Sequence, residues 1–340
     1  MKLVLKLVFG VFLLVAGFLV TRSHSEPSIA SGGLRPVKKV AILLPAVHPA
    51  MDSIEQGFRR VLEQSKQVDY EITTLNGNGN RQLMHAQVMQ VFDDDTDLIF
   101  TIGGNLASLV QKASVKKQSS KPIICSAVAD PLKLDLVQSL EHPGKQVTCV
   151  VSEAAIEEEV ALLLSIKPTV HQVLLVYDAT QGVGLDVEQQ ALAVALQQRG
   201  IALKTLEVSM PAEVYSKTAA VIGGCDVVMI FKDHTTVSAA DGLIKLCNQH
   251  GVTLMTSDLD SGVKGAALSF GVEEAAFGEC GARIARQVLE DGIAVGDIPC
   301  QEPGKHYLQI NPAACKRQGI VLEPELLRLL SCTRVLEGNA

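Results

Sequence analysis

The sequence predicts an α/β protein built from two parallel sheets. Short apolar runs of strand length alternate with amphipathic stretches of helix length, which is the pattern of βαβ units. Because this alternation occurs twice along the chain, we expect two Rossmann-like lobes of similar size. The 340 residues are enough for both lobes to have cores that need no disulfide.

The first predicted lobe contains five strands and four helices. Its strands are expected near residues 40–44, 71–75, 98–102, 122–125 and 147–150. Its helices are expected near residues 50–64, 81–92, 105–116 and 134–140.

The second predicted lobe repeats the pattern with five strands and five helices. Its strands are expected near residues 172–176, 203–208, 227–231, 252–256 and 267–270. Its helices are expected near residues 153–165, 185–199, 212–222, 238–249 and 273–291.

Residues 1–25 have the pattern of a signal peptide or an amino-terminal anchor. Lys2 and Lys6 precede an uncharged run over residues 7–21, and Ser23 and Ser25 are small residues of the kind that a signal peptidase reads. The run is shorter than the roughly 20 apolar residues that a membrane-spanning helix needs. No cysteine near its end could carry a lipid. We therefore expect the body of the protein to be periplasmic or otherwise extracytoplasmic, either exported or tethered to the inner membrane.

Composition excludes several functions. The net charge is −7 without a basic stripe, and the chain has no Trp, so we expect neither nucleic-acid binding nor an aromatic stacking platform. Scattered histidines and the lack of a GxSxG or CxxC motif argue against metal sites and hydrolase chemistry. We expect no cofactor and no metal. The eight cysteines are predicted to be mainly reduced core residues, although their spacing leaves the pairing open.

Polar turns follow the predicted strands, and these are the places where open α/β sheets bind ligands. The most informative turn follows strand 122–125, because it combines a hydroxyl, small residues and a carboxylate before Pro131. The candidate ligand-binding residues from all such turns are His48, Gly104, Asn105, Ser126, Ala127, Asp130, Asp178, Asp233, His234 and Asp258. Each has a structural alternative: Asp233 and Asp258 are good helix N-caps, and a Gly-Gly pair can be a plain tight turn.

Several of these motifs also occur together, in the same order, in one known family. The chain resembles the solute-binding proteins of ABC importers that bind aromatic amino acids such as tryptophan and phenylalanine. The resemblance covers about residues 38–327 and is carried by matching segments. These are residues 48–52 (HPAMD), 57–58 (GF), 126–131 (SAVADP), 136–137, 139–140, 143–144, 147–148, 258–265, 298–299, 307–311 and 319–320.

This resemblance implies the type I periplasmic-binding architecture, in which three chain crossings join two lobes that close on a ligand. The crossings are expected near residues 150–152, Gly271 and 298–301. The amino-terminal lobe would then take residues 36–150 and 272–297, and the carboxyl-terminal lobe would take residues 151–271 and 298–330. The implied partners are a small-molecule ligand and the permease and ATPase subunits of an importer, with the protein itself mostly monomeric.

The resemblance also suggests how an amino acid would bind. Its carboxylate would accept from the backbone N–H groups of Gly104 and Asn105 and from the hydroxyl of Ser126, with its ammonium on Asp130, Asp233 or Asp258. Closure would set these groups of the first lobe against Asp233, His234 and Asp258 of the second.

The chain departs from the family pattern at two turns of the second lobe. It has Tyr177-Asp178-Ala179 followed by Val183-Gly184 where the family has Tyr-Asn-Pro and then Asn-Ser, and His234 replaces an asparagine. These departures leave open a ligand other than an aromatic amino acid, including an acidic one.

Two other functions remain open at the level of the sequence. A membrane-anchored sensing module could use the same cleft, and a cysteine-dependent racemase could use Cys125 as its nucleophile. The role of importer component is the one that we rank first.

Overall fold

The computed structural model describes residues 35–152, 154–180, 185–323 and 333–336. It confirms the predicted fold class, a mixed α/β architecture with two mostly parallel sheets. The predicted signal segment, Val183-Gly184 and Cys332 lie outside the described residues. Among the residues that the model describes, no helix is both long enough and apolar enough to cross a membrane.

The first sheet has five parallel strands in the order β2-β1-β3-β4-β5. The elements of this part of the chain are β1 Val37–Leu44, α1 Pro49–Leu62, β2 Asp69–Asn76, α2 Arg81–Asp93, β3 Leu98–Ile102, α3 Gly104–Lys117, β4 Ile123–Val128 and β5 Val147–Val151. The central strand β3 and the edge strand β5 are buried throughout, as parallel strands covered on both faces must be.

The second sheet has seven strands in the order β12-β11-β10-β9-β8-β6-β7, and β11 runs antiparallel to β10. Its strands are β6 Gln172–Tyr177, β7 Ala202–Glu207, β8 Val227–Ile230, β9 Thr253–Thr256, β10 Leu268–Gly271, β11 Tyr307–Ile310 and β12 Thr333–Val335. The helices in this half of the sequence are α4 Ile156–Ile166, α5 Leu185–Gln197, α6 Pro211–Val221, α7 His234–Ser238, α8 Ala240–His250, α9 Leu259–Lys264, α10 Glu274–Leu289 and α11 Pro312–Arg317.

The helix predicted at residues 134–140 is wrong. This segment forms consecutive turns, in which Asp135 adopts a left-handed φ of 51° that ends any helical run. The N–H of Leu136 donates to the carbonyl of Pro131 and that of Gln138 to the carbonyl of Pro143. Leu136 and Val137 of this segment are nevertheless buried, whereas Leu140 is exposed.

Two of the expected crossings lie side by side. The N–H of Val151 donates to the carbonyl of Gln301 at 2.8 Å, and the N–H of Gln301 donates to the carbonyl of Cys149 at 2.9 Å. These reciprocal bonds tie the end of β5 to residues 298–301, where the chain passes between the two sheets.

Helix α10 packs against α1 on the first sheet, although it follows the second sheet's strands in sequence. Glycines make the close approach possible, because a Cβ on Gly57 would overlap the backbone of Ala275 and one on Gly278 would overlap the backbone of Ile54. The side chain of Phe277 joins the core around Phe58 and Phe100. This packing supports the proposed assignment of residues 272–297 to the amino-terminal lobe.

The seven described cysteines are free thiols, and six of them are buried. Cys125 is fully buried in β4, in the core between the sheet and its helices. The racemase hypothesis therefore lacks an accessible thiol at this position.

Candidate functional site

A cavity of about 320 Å³ lies where the crossings meet the second sheet. We call it the hinge cavity. Val151 and Ser152 contribute to its wall from the first crossing, and Gly271 and Val272 from the end of β10. Residues 302–304 and His306 contribute from the segment that follows the third crossing. Phe277 enters from α10, which packs on the first sheet. Its volume lies at the lower end of the range of ordinary small-molecule pockets.

The most buried polar group in this wall is Glu159. Its residue surface is only 2% exposed, and both carboxylate oxygens lie 3.2 Å from the hydroxyl of Ser257. Burial raises the pKa of Glu159 to about 8, and the nearby Glu188 and Asp258 add to the increase. Glu159 is therefore largely protonated near neutral pH in the empty protein.

Glu188, in the first turn of α5, lines the same cavity. Burial raises its pKa to about 7, and Lys232 opposes this increase. The ammonium of Lys232 lies 2.5 Å from Oε1 of Glu274 and 4.9 Å from the centre of the Phe277 ring. Lys232 follows β8 in the second sheet, whereas Glu274 begins α10, so this ion pair joins elements packed on different sheets.

A second cavity of about 370 Å³ adjoins the first and shares Val151, Ser152, Ala154 and Glu188 with it. Asp130 and Leu132 line it from the turn after β4. Close to this wall, Lys133 forms an exposed ion pair with Asp186 of α5 at 3.0 Å. Glu188 thus separates two compartments, one at the crossings and one between the turn after β4 and the start of α5.

Two of the predicted aspartates form one buried network. Asp233 caps α7 by accepting from the N–H of Thr236 at 2.8 Å and from its hydroxyl at 2.7 Å. Asp178 accepts from the hydroxyl of Thr235 at 2.6 Å and from the N–H of Thr180 at 2.9 Å. Both carboxylates therefore hold the local backbone, and for Asp233 this is the helix cap that the sequence left open as an alternative.

Asp258 caps α9, since its Oδ1 accepts from the N–H of Ser261 at 2.8 Å. Its Oδ2 is buried and has no hydrogen-bond partner among the described residues. Burial raises the pKa of this carboxyl.

The two predicted histidines meet across the cleft. The rings of His48 and His234 pack edge to face with centroids 5.2 Å apart. Nδ1 of His48 accepts from the N–H of Ala50 at 3.2 Å and so caps α1. Burial lowers the pKa of His48, and the neighbouring His234 lowers it further.

The candidate carboxylate site is only partly assembled. Gly103 adopts φ 92° before α3, so Gly104 and the exposed Asn105 occupy a helix N-terminus with free N–H groups. Ser126 instead points into the core, where its hydroxyl donates to the carbonyl of Phe277 at 3.3 Å. Ala127 adopts a left-handed φ of 55° at a bulge in β4. Of the ten candidates, Asp130 lines the second cavity and none contributes to the wall described for the hinge cavity.

Comparison with known families shows the family of this chain. The family model described as ABC transporter substrate binding protein matches residues 39–332. The chain belongs to this family. Family members are substrate-binding proteins that act outside the cytoplasm.

Individual relatives are similar to this substrate-binding protein over most of its length. It is 25% identical over 282 residues to a tyrosine-binding protein of Clostridioides difficile (strain R20291), covering 82% of this chain and 80% of that one. The crystal structure of a conserved domain protein from Vibrio cholerae has a TM-score of 0.76 and 27% identity, covering 87% and 99%. A Streptococcus structure in complex with L-Trp has a TM-score of 0.77 at 20% identity, covering 88% and 99%, and supports the fold.

The sequence contained a signal for the acidic wall of this substrate-binding protein. Ile156, Val160 and Leu163 form the buried stripe of α4, and Glu159 lies on the same stripe by helical periodicity. A glutamate in an apolar stripe predicts a buried carboxyl, but the neighbouring Glu157 and Glu158 made it look like part of a solvated helix start. No comparable signal marked Lys232 as a residue that faces a cavity.

Proposed function

We propose that the chain is the extracytoplasmic solute-binding component of an ABC importer. It captures a small amine-bearing ligand, an amino acid, in the cleft between its lobes and presents it to a membrane permease. The observation that carries this proposal is the hinge cavity, whose walls combine both sheets' helices with the crossings. A ligand there contacts both lobes at once, and only such contacts favour the closed form over the open one.

The amino-acid class is supported by chemistry as well as by relatives. One relative is described as a tyrosine-binding protein, and one structure of the same fold holds L-Trp. In this chain the buried carboxyl of Glu159 and the half-buried carboxyl of Glu188 suit an ammonium group. Phe270 and Phe277 supply an apolar surface beside them, and Lys232 could meet a carboxylate.

Contacts between the lobes give the permease something to recognise. The pairs His48 with His234, Lys232 with Glu274 and Lys133 with Asp186 all join elements on opposite sides of the cleft. These contacts form only when the lobes approach. A permease that docks to both lobes would therefore distinguish the loaded protein from the empty one.

A thermal-shift screen of the purified protein against the twenty amino acids, sugars and purines tests this function. A ligand at 100 times its dissociation constant stabilises the native state by about 2.7 kcal/mol, so a true ligand raises the melting temperature in a saturable way. We expect at least one amino acid to do so. The variant Ala154→Phe, which fills both cavities, should abolish the shift.

Ala202→Phe is the matched control, because Ala202 is exposed at the start of β7. It should shift like the parent. If no amino acid stabilises the protein, or if Ala154→Phe responds as the parent does, the proposed ligand class or the proposed site is wrong.

A further inference from the structure

The walls of the hinge cavity are unbalanced in charge. Four carboxyl side chains line it, those of Glu158, Glu159, Glu188 and Glu302. The single lysine in the same wall is Lys232. Once these carboxyls are ionised, a cavity with this lining favours a cationic group over an anionic one.

The ammonium of Lys232 does not correct the imbalance, because another carboxylate already holds it. Oε1 of Glu274 lies 2.5 Å from Nζ of Lys232. The other oxygen of Glu274 and Oδ2 of Asp258 are both buried without a hydrogen-bond partner among the described residues. Lys232 acts electrostatically on Glu188, Asp258 and Glu274, so one cation is shared by three carboxyls.

Glu159 is a buried carboxyl with few hydrogen-bond donors around it. It is nine-tenths buried and lines the cavity, and the hydroxyl of Ser257 is its one side-chain partner among the described residues. A hydroxyl has one proton to donate, whereas a carboxylate offers two oxygens. Buried carboxylates are costly unless a cation or several donors meet them. The open side of this carboxyl therefore faces a space that a cationic group would fill.

We infer that the ligand is an aliphatic amine of net positive charge, whose ammonium group binds between Glu159 and Glu188. This inference rests on the proposed function, since it takes the hinge cavity as the ligand site. The methylene stem would lie against Phe270, Val272 and Phe277. Two sources share this chemistry: a basic amino acid, whose carboxylate would approach Lys232, and a diamine, which has no carboxylate. An acidic ligand, left open by the sequence, does not suit this wall.

Binding should be coupled to proton release. Burial holds the pKa of Glu159 at about 8 and that of Glu188 at about 7, so both carry protons in the empty protein at neutral pH or below. An ammonium favours the ionised forms and displaces those protons, so affinity should rise between about pH 6 and pH 8.5. The other groups that act on these carboxyls are Asp258, Lys232 and Asp233, with Glu158, Glu302 and His306 in the same wall.

Isothermal titration calorimetry of the full chain at pH 8 tests the inference. The probes are L-lysine, L-arginine and putrescine, with L-leucine and L-tyrosine as uncharged side-chain comparisons. We expect at least one of the three cations to bind about tenfold or more tightly than L-leucine, as a charge-assisted bond to a buried carboxylate implies. Tight binding of L-lysine with weak putrescine binding identifies an amino acid, and the reverse identifies a diamine.

Glu159→Gln and Glu188→Gln should each weaken binding of that cation by about tenfold or more. Glu141→Gln, at an exposed turn, is the matched control and should bind as the parent does. His306→Gln should leave the pH dependence in place. Glutamine has the size of glutamate without its charge, so thermal melting of the Gln variants should match or exceed the parent and show that they fold. Glu188→Asp gives a second variant that keeps the charge but shortens its reach.

The outcomes distinguish a failure of this inference from a failure of the proposed function. If L-leucine or L-tyrosine binds and the cations do not, the inference is wrong while the proposed function stands. If the cations bind but both Gln variants retain parental affinity, the assignment to Glu159 and Glu188 is wrong. If no amino acid or amine binds, the inference and the proposed function fail together.

Discussion

Individual aspartates at strand ends in this protein accept hydrogen bonds from local backbone N–H groups. Asp258 shows this best, because one oxygen caps α9 while the other is buried without a partner among the described residues. The sequence offered capping and ammonium binding as rival roles for it. The geometry favours capping, and the unpaired oxygen explains why burial raises the pKa of this carboxyl.

Substitutions at Asp258 should distinguish the contribution of its helix cap to stability from that of its negative charge. Asp258→Ala removes the acceptor for the N–H of Ser261 and should lower the free energy of unfolding by about 0.5–2 kcal/mol. Asp258→Asn keeps an oxygen at the cap and should cost no more than a few tenths of a kcal/mol. Urea unfolding followed by circular dichroism measures both. An Asn variant as unstable as the Ala variant would show that the negative charge, rather than the cap, is what matters.

At the scale of elements, the sequence predicted long periodic segments well and short ones poorly. Helices of eleven residues or more were recognised from apolar periodicity, whereas α7, α9 and α11, with five or six residues each, were not. Helices this short have too few turns to show a period. The helix predicted at residues 134–140 was wrong for the opposite reason, since the spacing of its apolar residues resembles a helical stripe while the backbone turns at Asp135.

Sequence patterns also predicted only part of the candidate site. Polar turns mark strand ends in the sequence, and the described structure indeed brings His48 to His234 and Asp178 to Asp233. Which turn faces a cavity depends on how the lobes pack, and that packing joins residues more than a hundred positions apart. The sequence therefore did not predict that Glu159 and Lys232 line a cavity. The helical spacing of Glu159 does place it on the apolar stripe of α4.

The contact between α1 and α10 depends on glycine at the crossing point. In Gly278→Ala the new methyl group would overlap the carbonyl oxygen of Ile54, so the helices must separate. Overpacking of this kind typically costs about 1–3 kcal/mol, and we expect a loss of that size in urea unfolding. Gly223→Ala is the control, since nothing lies within 4 Å of the added Cβ. A Gly278→Ala variant as stable as this control would mean that the two helices can move apart at no cost.

At the scale of the whole molecule, two sheets joined at neighbouring crossings create a cleft whose closure depends on few contacts. The ion pair of Lys133 with Asp186 is exposed, and exposed pairs of this kind contribute about 1 kcal/mol or less. Lys232 with Glu274 is more buried but is shared with other carboxyls. These two ion pairs therefore contribute little to holding the cleft closed.

The histidine pair at the cleft makes this closure sensitive to acid. Burial lowers the pKa of His48, so the unfolded chain binds more protons than the folded chain below the ordinary value of about 6.5. Its contribution to stability is complete above that value and is lost as the pH falls from there through the lowered pKa. The His234 ring 5.2 Å away and Lys264 oppose protonation of His48, while Asp260 and Asp52 favour it.

We therefore expect the empty protein to expand on acidification. Small-angle X-ray scattering at pH 8 and pH 5 should show an increase over the radius of gyration of about 20 Å expected for a compact chain of this size. His48→Gln removes the imidazole of residue 48 and should reduce the expansion, whereas His85→Gln, on the exposed face of α2, should not. Equal expansion in both variants would assign the acid response to other groups. Since opening lowers affinity, expansion that depends on His48 would also make ligand release depend on pH.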